Sequence, residues 1–99
     1  MTYTAAIVAA YALLLAGMLA DIITSLRGWH RGAWELNPLV GELMLRVGPV
    51  KGLLIAKAAY LVACAGATAA LWGSWYVVAG VAIVAVLHGA AALWNERGA

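Results

Sequence analysis

The chain has few charged residues, a single cysteine and no phenylalanine, and each of these shortages excludes something. Only 10% of its 99 residues are charged, whereas 67% are hydrophobic. A soluble domain of this size exposes a large share of its surface and needs many more polar residues to cover it. The composition therefore excludes an ordinary soluble domain and indicates one domain at most, whose solvent is lipid.

The lone cysteine, Cys64, excludes an internal disulfide bond. Because phenylalanine is absent, every aromatic residue is Trp or Tyr, and these amphipathic rings favour the headgroup level of a bilayer. The sequence also lacks a glycine-rich phosphate loop, a serine with a partner base and a Cys/His cluster. We therefore expect no metal, no cofactor and no nucleic-acid partner. An enzymatic activity stays possible, but no motif supports it.

Three windows of the sequence are long and apolar enough to cross a hydrocarbon core of ~30 Å, which takes about 20 residues of helix. They cover residues 3–26, 52–72 and 75–94. Their apolar runs are too long for strands and do not alternate, so the sequence predicts an all-α membrane protein with three transmembrane helices. The first run is longer than a signal-peptide core and has no basic residue before it, so we interpret it as a permanent span.

Basic residues lie on one side of the predicted spans. No Lys or Arg precedes the first span or lies in the "WGSW" turn between the second and third. The segment between spans one and two and the C-terminal tail contain or border Arg27, Arg31, Arg46, Lys51 and Arg97. By the positive-inside rule, the N-terminus lies outside, and the 27–51 loop and the C-terminus lie in the cytoplasm. We expect the membrane to be a prokaryotic inner membrane.

The loop between spans one and two contains a helical pattern, "ELNPLVGELMLRVGP". Asn37 has the side chain of a helix N-cap, and Pro38 suits the first turn, where no amide hydrogen bond is lost. Apolar residues then fall on one face, and Glu42 and Arg46 fall on another. The pattern predicts a short interfacial helix over 38–47; the alternative is a mere connector that anchors the loop.

Each predicted span contains one ionisable residue within its apolar run: Asp21, Lys57 and His88. Counted from the nearest charged residue at the cytoplasmic boundary, they lie ~9, ~9 and ~12 Å deep, respectively. Thr24 shares a helix face with Asp21, and Tyr60 shares one with Lys57. An unpaired charge in a span costs roughly 2.5–3.5 kcal/mol on insertion scales. The sequence therefore predicts a polar layer with a buried Asp21–Lys57 ion pair and His88 nearby.

This polar layer has more than one interpretation. A buried ion pair can serve only to fix helix register and bundle specificity. Both side chains can also snorkel toward the inner interface from this depth. Ionisable groups inside a membrane are nevertheless functional candidates by default, so the layer is also a candidate site for an ion, a proton or a small solute.

Small residues recur at four-residue spacing in all three spans. They are Gly52 and Ala56; Ala59, Ala63 and Ala67; Ala85 and Gly89; and Gly17, one turn before the aspartate. Such stripes allow helix backbones to approach closely in lipid, where no hydrophobic effect joins helices. They are too many for one three-helix bundle, so we expect a homo-oligomer; chance spacing in alanine-rich spans is the alternative.

A series of polar and turn residues runs from the first span to the second. The series is Asp21-x-x-Thr24, Glu35-x-Asn37-Pro38, Gly41, Pro49 and Lys57. It resembles the signature of a family of small, uncharacterised bacterial and archaeal membrane proteins, over roughly residues 15 to 60. The resemblance implies the fold and this set of polar positions, and it adds no substrate. It also implies that Glu35 and Asn37 belong with the polar layer, through a loop that folds back over it.

Three functions fit these observations. The first is a homo-oligomeric channel or transporter-like protein, in which Asp21, Lys57 and His88 bind or relay a charge. The second is a structural or accessory subunit of a larger membrane complex, in which the small-residue faces are docking surfaces. The third is a phage-type holin. The three spans and the external N-terminus fit this type, whereas the long loop and the short tail "NERGA" fit it less well.

Overall fold

The computed structural model of the chain describes residues 1–30 and 38–98. These residues form four helices: α1 (Tyr3–His30), α2 (Pro38–Val47), α3 (Pro49–Ala70) and α4 (Trp75–Gly98). The described ranges contain no strand. Helices α1, α3 and α4 are each long and apolar enough to cross a membrane. The prediction of an all-α membrane protein with three spanning helices, and a short helix between the first two, is therefore confirmed.

The long helices do not end where the predicted spans end. Helix α1 continues past residue 26 to His30, and α4 continues past residue 94 to Gly98. A helix makes its backbone hydrogen bonds internally, so charged residues that end an apolar span do not end the helix. Helix α3 begins at Pro49 rather than at residue 52, because proline suits the first helical turn.

Large apolar side chains cover the outside of the three long helices. A water-soluble monomer rarely exposes so continuous an apolar surface, whereas a bilayer covers it. The exposed residues include Val8, Leu13, Leu15 and Leu19 on α1, Val62 on α3, and Ile83, Val86, Leu87 and Leu93 on α4.

Helices α1 and α4 pack along each other and form the hydrophobic core. The buried residues of this core are Ile7, Ala10, Leu14 and Met18 of α1 and Val77, Val81 and Ala85 of α4. The two helices approach closely at Gly17, where an added Cβ would lie 2.9 Å from the Ala85 carbonyl oxygen and 3.4 Å from the Gly89 nitrogen. The small residues predicted in the first and third spans therefore meet each other.

Helices α2 and α3 form a second closely packed pair. A single residue, Gly48, joins them with φ of 97°, a backbone conformation that costs glycine little. The Gly48 N–H donates to the Met44 carbonyl oxygen at 3.0 Å. One turn later, Gly52 faces the backbone of α2, and an added Cβ there would lie 2.8 Å from the Met44 Cα. Leu53 is fully buried at the same junction.

The two pairs share few apolar contacts. Within the described ranges, no buried residue of the core comes from α3, and only Leu61 and Cys64 of that helix pack against the core, partly buried. Two side-chain hydrogen bonds and a ring contact, described below, also connect α3 to the α1–α4 pair.

The two ends of the bundle are marked by different contacts. At one end, which we call the Tyr3 end, the ring of Tyr3 packs edge-on against Trp72 at 4.9 Å and Trp75 at 5.8 Å between centroids. At the opposite end, the Arg27 end, Arg27 Nη1 donates to Glu96 Oε1 at 2.8 Å. This second contact shows which residues of α1 and α4 lie side by side at that end.

Candidate functional site

The predicted ion pair between α1 and α3 is present. Lys57 Nζ donates to Asp21 Oδ2, and the two residues are only 8% and 4% exposed, respectively. Both lie within helices that are candidates for membrane spans. Since removal of one partner of a buried pair leaves the other charge uncompensated, at a typical cost of about 3–5 kcal/mol, each residue constrains the other.

The second oxygen of the same carboxylate is bound from α4. Asn95 Nδ2 donates to Asp21 Oδ1 at 2.9 Å, and the Ser25 hydroxyl lies 3.4 Å from the same oxygen. All three spanning helices therefore supply a donor to one carboxylate. Charge-assisted hydrogen bonds of this kind are stronger than those between neutral groups, so Asp21 is the centre of the site.

Asn95 also binds the two hydroxyl residues that follow Asp21. Its Nδ2 lies 3.1 Å from Thr24 Oγ1 and 3.0 Å from Ser25 Oγ. Thr24 donates its own proton to the Ala20 carbonyl oxygen at 2.9 Å, which leaves its oxygen to accept from Asn95. Because an amide nitrogen carries only two hydrogens, the three acceptors share them. Thr24 thus belongs to the site through Asn95 rather than through a direct contact with Lys57.

The other side of Lys57 faces two rings. Its Nζ lies 5.8 Å from the centroid of the Tyr60 ring, within the range of a cation–π contact. The Tyr60 ring in turn packs edge-to-face on the His88 ring, with 5.0 Å between centroids. An ammonium has three N–H donors, and in the part of the chain that the structure describes only one of them, the one to Asp21, has an acceptor.

His88 is buried, at 6% exposure, but it lies a turn away from the ion pair. It stands opposite Gly17, one turn before Asp21: an added Cβ at Gly17 would lie 3.3 Å from His88 Cβ. His88 Nδ1 lies 2.8 Å from the Val84 carbonyl oxygen. A carbonyl only accepts, so Nδ1 holds the proton, and Nε2 of the neutral ring is an acceptor. Within the described ranges, His88 makes no hydrogen bond to the pair.

A second polar contact joins α1 and α3 nearer the Tyr3 end. The Thr68 hydroxyl donates to the Cys64 carbonyl oxygen at 2.8 Å, so the Tyr11 hydroxyl donates to Thr68 Oγ1, at 2.7 Å. Along α1, Tyr11 lies ten residues before Asp21, or ~15 Å. Two polar contacts at different depths therefore hold α3 against α1.

The loop residues of the predicted site have different outcomes. Pro38 is the exposed first residue of α2, as its fixed φ favours. Glu35 and Asn37 lie outside the described residues. The hypothesis that the loop folds back over the polar layer therefore stays a prediction.

Asn95 and Ser25 were not among the predicted site residues. A signal for Asn95 is present in the sequence: Arg27 and Glu96 have opposite charges at the same end of two antiparallel helices. If these two residues pair, as they do in the structure, Asn95 falls beside the last turns of α1. The spacing of Asp21 and Ser25, one helical turn apart, is the corresponding signal on α1.

Comparisons of the chain with protein-family models, with curated proteins and with solved structures found no match. The resemblance to a family with an Asp-x-x-Thr, Glu-x-Asn-Pro and Lys signature therefore stays a prediction. The class of protein follows from the fold: the chain is a small integral membrane protein with three candidate spanning helices. Its most distinctive feature is an ion pair buried among those helices.

Proposed function

We propose that the protein is a homo-oligomeric channel or transporter-like protein whose polar layer binds or relays a charge. The observation that carries the proposal is the burial of Asp21 and Lys57, an acid and a base on different helices, at the junction of the α1–α4 and α2–α3 pairs. Ionisable groups are kept inside a membrane at a cost, and they commonly mark ion or solute paths.

The arrangement of the helices favours movement at this junction. Apolar packing holds α1 to α4, whereas two polar contacts, Asp21–Lys57 and Tyr11–Thr68, connect α1 to α3. A change in charge at the ion pair therefore acts on the contact that holds α3 in place. Population of a second arrangement by a bound ion or solute is the usual basis of gating and alternating access.

Three helices enclose little space, so a path through the membrane requires more than one copy of the chain. The outer face of α3 carries exposed small residues, among them Ala59, Ala63, Gly66 and Ala67. An added Cβ at Gly66 would meet nothing within 4 Å. Small residues at four-residue spacing allow close helix contacts in lipid, which supports the homo-oligomer of this proposal.

The membership of the signature-bearing family and the orientation are parts of the same proposal. The N-terminus lies outside and the C-terminus in the cytoplasm of a prokaryotic inner membrane, because basic residues cluster at the Arg27 end. The polar layer then lies in the cytoplasmic half of the membrane.

Ion and proton flux through liposomes that contain the purified protein tests the proposal. We expect wild-type flux to fall strongly in Asp21→Asn and in Lys57→Met, because each removes a charge from the layer. Lys51→Met, which removes an exposed lysine near the start of the same helix, is the matched control. The double variant Asp21→Asn/Lys57→Met removes both charges and tests whether loss of flux follows from misfolding of the singles. If none of these substitutions alters the flux, the proposal is refuted.

A structural or accessory subunit is the second candidate, and the exposed small-residue face of α3 also fits a foreign helix. The protein would then co-purify with one consistent partner, whereas a stable homo-oligomer in isolation argues against this role. Native mass spectrometry after mild-detergent purification separates the two. Toxicity on overexpression that survives Asp21→Asn would instead favour the holin hypothesis.

A further inference from the structure

The polar layer has hydrogen-bonding groups that the ion pair leaves unused, and the side chains that carry them are neighbours. The carboxylate of Asp21 already accepts from three side chains on three helices. Lys57 has two N–H donors without an acceptor in the described part of the chain, and neither the Tyr60 hydroxyl nor His88 Nε2 has a partner there. These groups are not hydrogen-bonded to one another in the described residues, so they are available to bind a ligand.

The three side chains are neighbours. The centroid of the Tyr60 ring lies 5.8 Å from Lys57 Nζ and 5.0 Å from the centroid of the His88 ring. Lys57 and His88 are more than nine-tenths buried, whereas Tyr60 is 40% exposed. The two ionisable side chains of the cluster are therefore buried, and Tyr60 is its exposed member.

The unused groups on this side are mainly donors, and donors select an anion. The hydrogen bonds that an ammonium N–H and a phenolic O–H donate are both stronger when the acceptor is charged. A cation would instead have to displace the donors that already hold Asp21. The donor set thus favours a small, negatively charged ligand beside Lys57.

Charge balance requires that one proton bind together with that ligand. The Asp21–Lys57 pair is neutral as a whole, so a bare anion would add one uncompensated negative charge inside the membrane, which is costly. His88 can remove that cost by accepting one proton. Its Nδ1 already holds a hydrogen that is donated to Val84, so the new proton goes to Nε2, where it becomes a further donor.

We propose that Lys57, Tyr60 and His88 form a binding site for a small monovalent anion that enters together with one proton. The proposal rests on the proposed function, because it names the substrate class of the same polar layer. The proton comes from solution and binds His88 Nε2, and no covalent bond is made or broken in the anion. The site then holds Asp21 and the anion as two negative charges, balanced by Lys57 and the imidazolium.

The charges of the titratable groups around His88 are consistent with this charge balance. From α3, Tyr60 contacts its ring, and Lys57 lies beyond Tyr60. From α1, Asp21 lies one turn past Gly17, which faces His88. On α4 itself, the next ionisable residue is Glu96, eight residues away. Without the anion, the charges of Lys57 and Asp21 offset each other.

Calorimetry of the purified protein in lipid nanodiscs tests the site, with sodium formate and sodium chloride as probes and sodium gluconate keeping the ionic strength constant. We expect saturable binding of at least one probe, with uptake of one proton for each anion. The affinity should weaken with rising pH, by up to about tenfold for each pH unit, which is the slope for one linked proton.

Two variants keep the ion pair intact and so avoid the folding problem of Lys57 substitutions. Tyr60→Phe removes one hydroxyl donor and should weaken binding by about three- to tenfold. His88→Gln should abolish the dependence of affinity on pH and the uptake of the proton. Lys51→Met should change neither. Absence of saturable binding, an affinity that does not vary with pH, or equal binding by wild type and both variants would overturn the proposal.

The same protein in liposomes separates this inference from the proposed function. A cation-selective current without binding of either anion would overturn the anion site and leave a channel function in place. Saturable, pH-dependent anion binding without any flux would overturn the channel or transporter and leave the site. Anion flux that is accompanied by an equal proton flux, and falls in Tyr60→Phe, supports both.

Discussion

Lys57 and Asn95 bind different oxygens of one carboxylate: the ammonium of α3 holds Asp21 Oδ2, and the amide of α4 holds Asp21 Oδ1. The aspartate therefore joins three helices at a single point. An ion pair alone would link two helices, and the amide extends the link to the third. The consequence is that α3 and α4, which share few direct contacts, depend on a residue of α1 for their alignment.

The first prediction concerns the coupling of the ion pair. Asp21→Asn and Lys57→Met should each lower the free energy of unfolding by about 3–5 kcal/mol, because each leaves a buried charge or polar group without its partner. The double variant should lose much less than the sum of the two. Reversible unfolding in mixed micelles measures the cycle, and strictly additive losses would show that the two side chains do not interact.

The second prediction contrasts two contacts at the Arg27 end. Asn95→Leu removes a buried hydrogen bond to a charged group and should cost about 1.5–3 kcal/mol of unfolding free energy. Glu96→Gln removes the negative charge from the neighbouring ion pair with Arg27, whose side chains are about half exposed, and should cost under about 1 kcal/mol. The same unfolding assay compares them. Equal losses would mean that the Asn95 amide is not held by Asp21.

The third prediction compares two glycines of the spanning helices. Gly17→Ala forces its Cβ against the backbone of α4 and should destabilise the protein by about 1–3 kcal/mol, as overpacking does. Gly66→Ala places its Cβ in open space on α3, and should be neutral or gain up to about 1 kcal/mol through helix propensity. Thermal unfolding in detergent measures both. A stabilising Gly17→Ala would contradict the close α1–α4 contact.

The fourth prediction concerns the contact nearer the Tyr3 end. Tyr11→Phe removes only the hydroxyl that donates to Thr68 and should cost about 0.5–1.5 kcal/mol. In the background of Thr68→Val the same change should cost almost nothing, because the acceptor is already gone. A Tyr11→Phe effect that persists in Thr68→Val would assign the loss to another partner.

The fifth prediction concerns orientation in the membrane. Cys64 is the only cysteine, so Cys64→Ala gives a background in which new cysteines report their own location. In intact cells, a membrane-impermeant maleimide should label Thr2→Cys and should label Arg97→Cys only after lysis. The reverse pattern would overturn the orientation inferred from the basic residues.

The helices and the ion pair were predictable from the sequence because lipid restricts the solutions. Long apolar runs without water must be helical, and an acid and a base at similar depth must find each other. The short helix α2 was predictable because proline and a change in residue pattern mark its start. None of these inferences requires knowledge of how the helices rotate or slide against each other.

The partners of Asp21 on α4 depend on that relative placement. Counting residues from the membrane boundary puts His88 near the level of Asp21, but it lies opposite Gly17, and Asn95 occupies the place beside the carboxylate. The packing of α1 on α4, with its close approach at Gly17, accompanies this register, and it is an interaction between helices. Residue spacing within one helix does not contain that information.

Gly48 is the single residue between α2 and α3, and Gly52 packs on the Met44 backbone, so the two helices are closely coupled. Lys57 lies eight residues after Pro49, the first residue of α3. A displacement of α2 would therefore reach the lysine through a little over two turns of helix, which makes the segment before the second candidate span a natural lever on the buried charge.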